Sequence, residues 1–398
     1  MRTATDRPPT VLMTADAVGG VWSYALSLCA ALPRIRFVVA TMGPRPDTAQ
    51  REALARLGNV VLEESDWRLE WMAGAAADLA PARRWLSGLA RRHAVDLVHV
   101  NGYAHAHLED APPVLVIAHS DVLSWWQAVY GTAAPAEWDP YRRAARAGLR
   151  AADRIVAPSA AALRDVERHY GPLDAPARVI ANGVALDAFC PLPKRPVAMA
   201  AGRVWDEAKN LAALDRIAGD LAWPVEIAGD TDHPESGALP LARARRLGRV
   251  PETEMARLLG EVAIFAAPAR YEPFGLAILE AAAAGCALVL GDIPSLRENW
   301  DGAALFVPPD DTAALHAALT RLIADPGART RLQQAAHRRA GPLSLARMAA
   351  AYEALYREIL ALTEAPHPGP LPARGEREGP SPKGWEGEGQ GIRCIAGE

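Results

Sequence analysis

The sequence predicts an α/β protein built from two doubly wound domains of similar size. Short apolar runs alternate with amphipathic stretches of helical length, which indicates β-strands connected by helices in parallel sheets. Three prolines interrupt this alternation at residues 190–196, a composition typical of a linker. With 398 residues, half of them hydrophobic, the chain is too long for one ordinary core and suits two domains.

The first series of apolar runs predicts the strands of an N-terminal domain. These strands cover Thr10–Thr14, Phe37–Thr41, Val60–Leu62, Leu97–Val100, Val114–Ala118, Arg154–Ala157 and Arg178–Ile180. Helices are predicted between them, over Val21–Leu32, Pro81–His93 and Tyr141–Ala152 among others. In such a sheet the loops at the carboxyl ends of the strands are expected to bind ligand.

A second series follows the linker and predicts a C-terminal domain. Its strands cover Val197–Ala201, Val225–Ala228, Val262–Ala266, Ala287–Leu290 and Ala304–Val307, and the last helices cover Asp311–Ala324 and Leu343–Leu362. We therefore divide the chain into an N-terminal domain (1–190), a C-terminal domain (191–342), a C-terminal helix (343–363) and a tail (364–398). The tail is rich in Gly and Pro and lacks hydrophobic periodicity, so it is predicted to be disordered.

Composition excludes several classes of protein. The net charge is -4, with 43 basic and 47 acidic residues, whereas nucleic-acid binders usually carry a basic excess. The four cysteines, Cys29, Cys190, Cys286 and Cys394, show no zinc or disulfide spacing, which fits a reducing cytosol. No apolar run is long enough to span a bilayer, and Asp16 interrupts the only early apolar stretch, which argues against a signal peptide.

The most distinctive motif is RYEPFGLAILE at residues 270–280. Pro273 is predicted in the first turn of a helix, and Gly275 lets a ligand approach the backbone closely, so the first N–H groups of the helix form an anion site. Glu272 lies at the mouth of that site and Glu280 lies further along the helix. Because carboxylates accept hydrogen bonds from pairs of neighbouring hydroxyls, the pattern fits a sugar nucleotide. An ordinary surface helix with an acidic first turn would fit it too.

Two further segments follow predicted strands. The segment GRVWDEAKN at residues 202–210 contains Arg203 and Lys209, two cations that can neutralise a diphosphate, although solvated surface cations would give the same pattern. The segment DAVGGVWS at residues 16–23 contains Gly19 and Gly20, which favour a turn that a phosphate or sugar ring can approach. A tight structural turn accounts for the glycines equally well.

Taken in this order on two α/β domains, these segments resemble the GT-B glycosyltransferases, and specifically the retaining type similar to family 4. The resemblance covers about residues 10–362. Its most specific element is the pair Glu272 and Glu280, separated by seven residues around Pro-Phe-Gly, and the sequence NGV at 182–184 supports it. The resemblance implies two domains that face each other across a cleft, with the acceptor on the N-terminal domain and the donor on the C-terminal domain. It also implies a last helix that crosses back to the first domain.

The resemblance also implies roles for individual residues. Glu272 and His119 are the implied catalytic residues, both in contact with the donor sugar. Arg203 and Lys209 would hold the donor diphosphate, and Glu280 the ribose. The implied donor-binding set is Gly19, Gly20, Arg203, Lys209, Asp230, Arg249, Val250, Phe274, Gly275, Leu276 and Glu280, and the implied acceptor-binding set is Asn101, Tyr103 and Trp125. The spacing from Arg203 to Lys209 is one residue longer than the family pattern, which leaves the lysine contact less defined.

No metal ion or cofactor is expected. Asp230-Thr231-Asp232 has the sequence of a metal–nucleotide motif from the other large glycosyltransferase fold, but it follows a strand where the GT-B pattern places a Gly-Asp turn. His105 and His107 have no third ligand at a suitable spacing. The leaving diphosphate would instead be stabilised by the cations and the helix N–H groups.

The resemblance therefore implies a retaining, metal-independent glycosyltransferase that uses a UDP- or GDP-linked sugar. Its acceptor would be a carbohydrate, a lipid-linked sugar or a small molecule. The alternatives are a sugar-nucleotide epimerase on the same architecture and a non-catalytic nucleotide-sugar sensor.

The expected location is the cytoplasm. An arginine run formed by Arg142, Arg143, Arg146 and Arg150 could contact anionic lipids at the inner face of the membrane. A solvated helix face is the alternative interpretation of this run.

Overall fold

The computed structural model of the chain describes residues 7–17, 19–230, 232–233, 237–238 and 241–364. The predicted tail, apart from Glu364, lies outside these residues. Two parallel sheets with helices between their strands form the molecule. In the ranges described, no helix combines the length and the apolar character needed to cross a membrane.

The first sheet occupies the N-terminal part of the chain. Its strands are β1 (Thr10–Asp16), β2 (Arg36–Met42), β3 (Val60–Glu64), β4 (Leu97–Val100), β5 (Val114–Ile117), β6 (Arg154–Ala157) and β7 (Ala177–Val179). The helices between them are α1 (Gly20–Ala31), α2 (Thr48–Ala55), α3 (Leu79–Arg92), α4 (Val122–Tyr130), α5 (Asp139–Ala151) and α6 (Ala160–Tyr170). The strand order β3-β2-β1-β4-β5-β6-β7 reverses between β1 and β4, which is where a doubly wound sheet opens a ligand crevice.

The second sheet repeats this winding. Its strands are β8 (Arg195–Ala201), β9 (Val225–Ala228), β12 (Arg245–Gly248), β13 (Val262–Ala267), β14 (Ala287–Gly291) and β15 (Ala304–Val307), in the order β12-β9-β8-β13-β14-β15. A short antiparallel ribbon, β10 (Asp232–His233) and β11 (Gly237–Ala238), precedes β12. The helices are α7 (Leu211–Ala218), α8 (Glu252–Glu261), α9 (Leu276–Ala283), α10 (Pro294–Trp300), α11 (Thr312–Ala324), α12 (Pro326–Ala340) and α13 (Leu345–Glu364).

Strand β12 was not predicted from the sequence. Its first two residues, Arg245 and Arg246, are exposed, and the strand lies at the edge of the sheet. An edge strand pairs on one side only and can keep polar side chains in solvent, so it lacks the apolar run that identified the central strands.

Alternation along the central strands places apolar side chains on both faces of each sheet. In β1, Val11 and Met13 belong to the core on one face of the sheet, while Leu12 belongs to the core on the other face. Successive side chains of a strand point to opposite faces, so a strand covered on both sides needs a continuous apolar sequence. Strand β1 accordingly has six consecutive buried residues, Thr10–Ala15.

Helix α13 follows the second domain in the chain but packs into the core of the first. Its buried residues Met348, Tyr352 and Leu355 share that core with helix α1. The chain returns beside the linker, where Leu345 N donates to the Val184 carbonyl at 2.8 Å. A Cβ on Gly183 would lie 2.3 Å from the Ser344 carbonyl oxygen, so only glycine allows this close crossing.

Leu355→Ala should destabilise the protein by about 2–5 kcal/mol, because Leu355 is fully buried and its truncation leaves a cavity in the first core. Leu362 lies on the same helix but is 56% exposed, so Leu362→Ala should leave the free energy of unfolding nearly unchanged. Urea denaturation of both variants checks this. Equal losses in the two variants would mean that α13 does not pack as described.

Candidate active site

The carboxyl ends of the two sheets face each other across a cavity of about 590 Å³. The loops after β1, β4 and β5 line one side, and the loops after β8 and β13 line the other. The predicted site residues in this wall are Gly19, Gly20, Asn101, His119, Trp125, Arg203, Lys209, Glu272, Phe274, Gly275 and Leu276. The structure therefore brings together, in one cleft, side chains from segments far apart in the sequence.

The predicted cations Arg203 and Lys209 lie on the second-domain side. Arg203 pairs with Asp206 at 2.7 Å, and its guanidinium lies 5.3 Å from the centre of the Trp205 ring. Lys209 pairs with Glu272. Each cation of the candidate diphosphate site therefore has a carboxylate partner on the same wall of the cavity.

A tight turn places these cations. Residues 207–209 form a single 3-10 turn, and Asn210 follows with a left-handed backbone conformation (φ 55°). The Asn210 side-chain amide donates to the carbonyl groups of Pro268 at 2.9 Å and Pro309 at 2.7 Å, which fastens the loop to its neighbours. Helix α7 begins only after this residue, so the segment reaches the cleft as a loop rather than as the start of a helix.

The predicted start of helix α9 was wrong. The helix begins at Leu276, not near Pro273, because Gly275 adopts a left-handed conformation (φ 90°) and serves as its N-cap. Residues with a side chain rarely adopt this conformation, so glycine is favoured at this position. The free N–H groups at the start of the helix therefore lie beside Leu276 in the cavity wall, where they can interact with an anion.

Glu272 and Glu280 occupy different environments. The backbone carbonyl of Glu272 accepts a hydrogen bond from Ser295 Oγ at 2.6 Å, which fixes the loop before the helix. Both residues are half-buried, but Glu272 lines the cavity whereas Glu280 lies outside its wall. Burial, with a smaller effect from the negative charge of Glu252, raises the pKa of Glu280 to about 7.

Four further predicted residues lie outside the cavity wall in the part of the chain that the structure describes. Tyr103 is fully buried and stacks on Tyr170 with ring centres 5.9 Å apart. The Asp230 carbonyl accepts from Val204 N at 2.9 Å, while Thr231 and the side chain of Asp232 lie outside the described residues.

Arg249 and Val250 follow strand β12. Arg249 pairs with Asp47 of the first domain at 3.3 Å. Val250 lines a second cavity, of about 510 Å³, beside helix α8.

Direct contacts join the two sides of the cleft. Trp125 Nε1 donates to Asp206 Oδ1 at 3.0 Å, and Ser159 Oγ donates to the Pro273 carbonyl at 2.8 Å. The Tyr271 hydroxyl accepts from Asp121 N at 3.2 Å. The domains therefore touch around the cavity, and Trp125 does so through the same carboxylate that pairs with Arg203.

His119 is held in a buried hydrogen-bond network. Asn101 Oδ1 lies 2.9 Å from His119 Nε2 and 3.1 Å from His99 Nε2, while Asn101 Nδ2 donates to the Thr14 carbonyl at 2.7 Å. His99 Nδ1 lies 2.7 Å from the hydroxyl of Tyr356 on helix α13. Tyr356 of the last helix is thus linked to His119 through His99 and Asn101.

This network defines the protons on both imidazoles. Because the Asn101 amide nitrogen donates to Thr14, its oxygen must accept, so His119 and His99 both carry their protons on Nε2. Burial lowers the pKa of His119 to about 4, so its ring is neutral near pH 7. His119 therefore keeps Nδ1 as an acceptor, which suits a hydroxyl of a sugar better than the role of a general acid.

Sequence reasoning missed several of these functional contacts. Asp206 lies in the segment 202–210, for which the sequence analysis predicted binding roles only for Arg203 and Lys209. Asn101 was predicted to bind acceptor, and the structure adds a positioning contact to His119. His99 and Tyr356 had no local signal, because their partnership depends on the packing of α13.

The described residues contain no group of three or more His, Cys, Asp or Glu side chains arranged to hold a metal ion. His105 is buried, whereas His107, two residues later, is exposed. The two imidazoles, considered as a metal pair in the sequence, thus lie in different environments.

Comparison with known proteins defines the class. A sequence profile described as Glycosyltransferase Family 4 matches residues 18–188, and one described as Glycosyl transferases group 1 matches residues 195–325. The chain is 26% identical to an alpha-maltose-1-phosphate synthase of Mycobacterium tuberculosis over 369 residues, which covers 81% of this chain and 91% of that protein. It is 31% identical to a glycogen synthase of the same species over 209 residues, which covers 48% of this chain and 50% of that protein.

Solved structures agree on the fold. The sucrose-phosphate synthase of Thermosynechococcus elongatus superposes with a TM-score of 0.75 at 19% identity, covering 89% of this chain and 100% of that one. Anabaena HepE in complex with UDP and glucose superposes with a TM-score of 0.69 at 16% identity, covering 88% and 100%. The molecule therefore has the two-domain GT-B fold.

The chain belongs to the family 4-like glycosyltransferases and is a glycosyltransferase. The predicted fold class and enzyme class are confirmed. The relatives named above are synthases, which does not favour the epimerase or sensor alternatives. The predicted domain boundaries and residue roles stay predictions.

Glu280→Gln should stabilise the protein more near pH 8 than near pH 5. Because the pKa of Glu280 is raised from 4.5 to about 7, the folded protein binds more protons than the unfolded chain between these values. The free energy of unfolding therefore falls as pH rises through this window, and glutamine removes that loss.

Melting temperatures of wild type and variant at both pH values measure the effect. Glu137→Gln, at an exposed position of the first domain, is the control and should show no such pH-dependent gain. A gain of equal size at both pH values would contradict the raised pKa.

Proposed function

We propose that this enzyme is a retaining, metal-independent glycosyltransferase that takes its sugar from a nucleotide-diphosphate donor. The observation that supports this most directly is the second-domain wall of the cavity, where Arg203, Lys209 and the start of helix α9 surround one space. Two cations and free helix N–H groups suit a diphosphate. HepE, a structural relative, has been solved with UDP and with UDP-glucose, which supports a similar donor here.

In this proposal the donor extends along the second domain. Its diphosphate lies between Arg203, Lys209 and the N–H groups after Gly275, and its sugar lies between Glu272 and His119. The ribose binds Glu280, and the base, of UDP or GDP, lies near Asp230, Arg249 and Val250. Gly19 and Gly20 approach the donor from the first domain, and a Cβ on Gly19 would lie 3.0 Å from Arg203 Nη1, which supports a close approach at this point.

Catalysis would proceed by attack on the same face of the sugar. The bond from the anomeric carbon to the diphosphate oxygen breaks, the acceptor oxygen bonds to that carbon, and the leaving phosphate oxygen takes the acceptor proton. Positive charge develops on the sugar ring in this transition state, and Glu272 lies where its carboxylate can stabilise that charge. Contacts such as Trp125 to Asp206 close the cleft and exclude water from the activated sugar.

The acceptor would bind the first domain, at loops that contain Asn101, Tyr103 and Trp125. Of these, Asn101 and Trp125 line the cavity, while Tyr103 supports the loop from within. The named relatives form sugar phosphates and glycogen, which supports a carbohydrate acceptor over a lipid-linked one.

We also propose a cytoplasmic location. Among the described cysteines, Cys29, Cys190 and Cys286 are free thiols, which suits a reducing compartment. Arg143, Arg146 and Arg150 are exposed on helix α5, and this basic face would permit peripheral contact with an anionic membrane.

Transfer should survive EDTA, because Arg203, Lys209 and the α9 N–H groups stabilise the leaving diphosphate without a metal. The measurement is release of UDP or GDP from sugar donors before and after treatment with chelator, with a Mg²⁺-dependent glycosyltransferase treated in parallel as the control. Activity that disappears with EDTA and returns with Mg²⁺ or Mn²⁺ would overturn the metal-free mechanism.

Glu272 and Glu280 should affect different kinetic constants. Glu272→Gln should lower kcat about tenfold or more without weakening the affinity for nucleotide diphosphate, because its charge acts mainly in the transition state and its loss removes only a competing partner of Lys209. Glu280→Ala should weaken nucleotide binding by about 1.5–3 kcal/mol and raise KM for the donor with little change in kcat, because ribose contacts are alike in both states.

Steady-state kinetics and calorimetry with UDP and GDP test both variants, each compared at equal melting temperature. If Glu280→Ala lost kcat at unchanged nucleotide affinity while Glu272→Gln lost nucleotide affinity, the orientation of the donor would be the reverse of that proposed.

A further inference from the structure

A carboxylate that no sequence motif identified lies in the first-domain half of the cavity. Glu70 belongs to the loop between β3 and α3, and it lines the cavity together with Trp71. Its Oε2 accepts hydrogen bonds from the backbone N–H groups of Ala104 at 2.6 Å and Tyr103 at 3.0 Å. These contacts hold the carboxyl in place, so its position is defined before any ligand binds.

Two residues of the cavity wall, His105 beside this carboxyl and Trp138 elsewhere in the wall, each have a side-chain nitrogen without a hydrogen-bond partner within the protein. His105 lines the same cavity, is 3% exposed, and its Nε2 is unsatisfied, while its Nδ1 lies 4.0 Å from Glu70 Oε2. Trp138 also lines the cavity, and its Nε1 is unsatisfied. A buried polar group without a partner costs about 1–3 kcal/mol, so a polar ligand that reached either nitrogen from the cavity would offset that cost.

The charge of this half of the cavity indicates which ligand. In the described part of the wall, the first-domain residues include Glu70 and Asp121 but no lysine or arginine. The nearby guanidinium of Arg83 donates to the Ala104 carbonyl at 2.9 and 2.5 Å rather than lining the cavity. Burial lowers the pKa of His105 to about 4, so its ring adds no positive charge near pH 7. Burial raises the pKa of Glu70 to about 7, so near pH 7 its carboxyl can donate as well as accept hydrogen bonds. A phosphate group would meet carboxyl groups here, with no lysine or arginine in the described first-domain wall to balance its charge.

The remaining surface suits a sugar ring. Trp71, Trp138 and Tyr141 present aromatic groups in the same wall, and aromatic faces pack against the apolar face of a sugar. A carboxyl with an imidazole close by, and an indole N–H in the same wall, offers acceptors and donors to ring hydroxyls. The site thus combines the two features that recognise an uncharged polyhydroxyl ring.

We propose that Glu70, His105 and Trp138 form the acceptor subsite and that it takes a neutral, unphosphorylated sugar or cyclitol. This inference rests on the proposed glycosyl transfer and specifies its acceptor. A neutral acceptor would distinguish this enzyme from relatives whose names include a phosphorylated sugar product. A phosphorylated acceptor would place its phosphate in the half of the cleft whose described wall has no lysine or arginine.

The test uses a paired panel of acceptors with UDP-glucose and GDP-mannose as donor probes. Glucose, maltose and myo-inositol are compared with glucose 1-phosphate, glucose 6-phosphate and inositol 1-phosphate, and release of nucleotide diphosphate is measured. Neutral members should stimulate release more than their phosphates. Glu70→Gln should raise KM for the neutral acceptor about tenfold or more and should reduce the discrimination against the phosphates, while UDP and GDP bind as in wild type.

Two further variants separate binding from folding. Trp138→Phe keeps an aromatic ring and removes an N–H that has no partner in the protein, so it should raise the acceptor KM at an unchanged melting temperature. Asp66→Asn, four residues before Glu70, alters only an exposed ion pair with Arg45 and is the control, with wild-type KM expected.

Each outcome has a distinct meaning. If the phosphorylated acceptors act alone, or if no member of the panel acts while nucleotide binding is intact, the neutral subsite is overturned and the proposed donor chemistry stands. If neither UDP nor GDP binds, the proposed function fails, and this inference fails with it.

Discussion

The return of helix α13 to the first domain is the constraint on which the cleft depends. The chain leaves the first domain near Val184 and comes back at Ser344, and these two segments pair side by side. Because a Cβ on Gly183 would lie 2.3 Å from the Ser344 carbonyl oxygen, the two crossings are in direct contact. Together with α13, which packs on the first domain, they connect the two sheets whose carboxyl edges line the cleft. The same helix brings Tyr356 to His99, so the element that joins the domains also orders the imidazoles beside the cavity.

Ion pairs hold the two cations on the second-domain wall of the cleft. Burial alone would raise the pKa of Asp206, but Arg203 and Lys209 hold it below its usual value. A ligand that takes Arg203 and Lys209 must offset the loss of their contacts with Asp206 and Glu272, and a diphosphate carries enough charge to do so. Asp206 also accepts a hydrogen bond from Trp125 Nε1, so this one carboxylate contacts both Arg203 and the first domain.

The two halves of the cleft differ in their charged groups. Two cations, each paired with a carboxylate, and helix N–H groups lie on the wall of the second domain, whereas the described wall of the first domain carries carboxyl and imidazole groups but no lysine or arginine. In the proposed reaction, an anionic leaving group would be stabilised on the second-domain side, and an uncharged nucleophile would bind on the first-domain side. His119 also lines the cavity: its Nε2 bonds to Asn101 Oδ1, and burial lowers its pKa so that the ring is neutral near pH 7.

Much of the architecture could be predicted from the sequence, because local patterns carry it. Buried central strands need continuous apolar runs, so β1, β8 and β13 were visible, whereas the polar edge strand β12 was not. The segments after β8 and β13 were expected to bind ligand because parallel strands place their carboxyl ends at one edge. The start of α9 was misplaced because proline suggested a first turn, while the left-handed conformation of Gly275 delayed the helix to Leu276.

The sequence by itself determined the alternation of strands and helices, the linker and the loops that carry Arg203, Lys209 and Glu272, since each depends on residues that are neighbours in the chain. Only the tertiary structure decided that Tyr356, 257 positions after His99, would bond to it. Only the tertiary structure placed Glu70 beside His105 in the cavity. The physical reason is that hydrogen bonds and charge pairs depend on distance in space. When two side chains meet through the packing of separate elements, no local pattern records their contact.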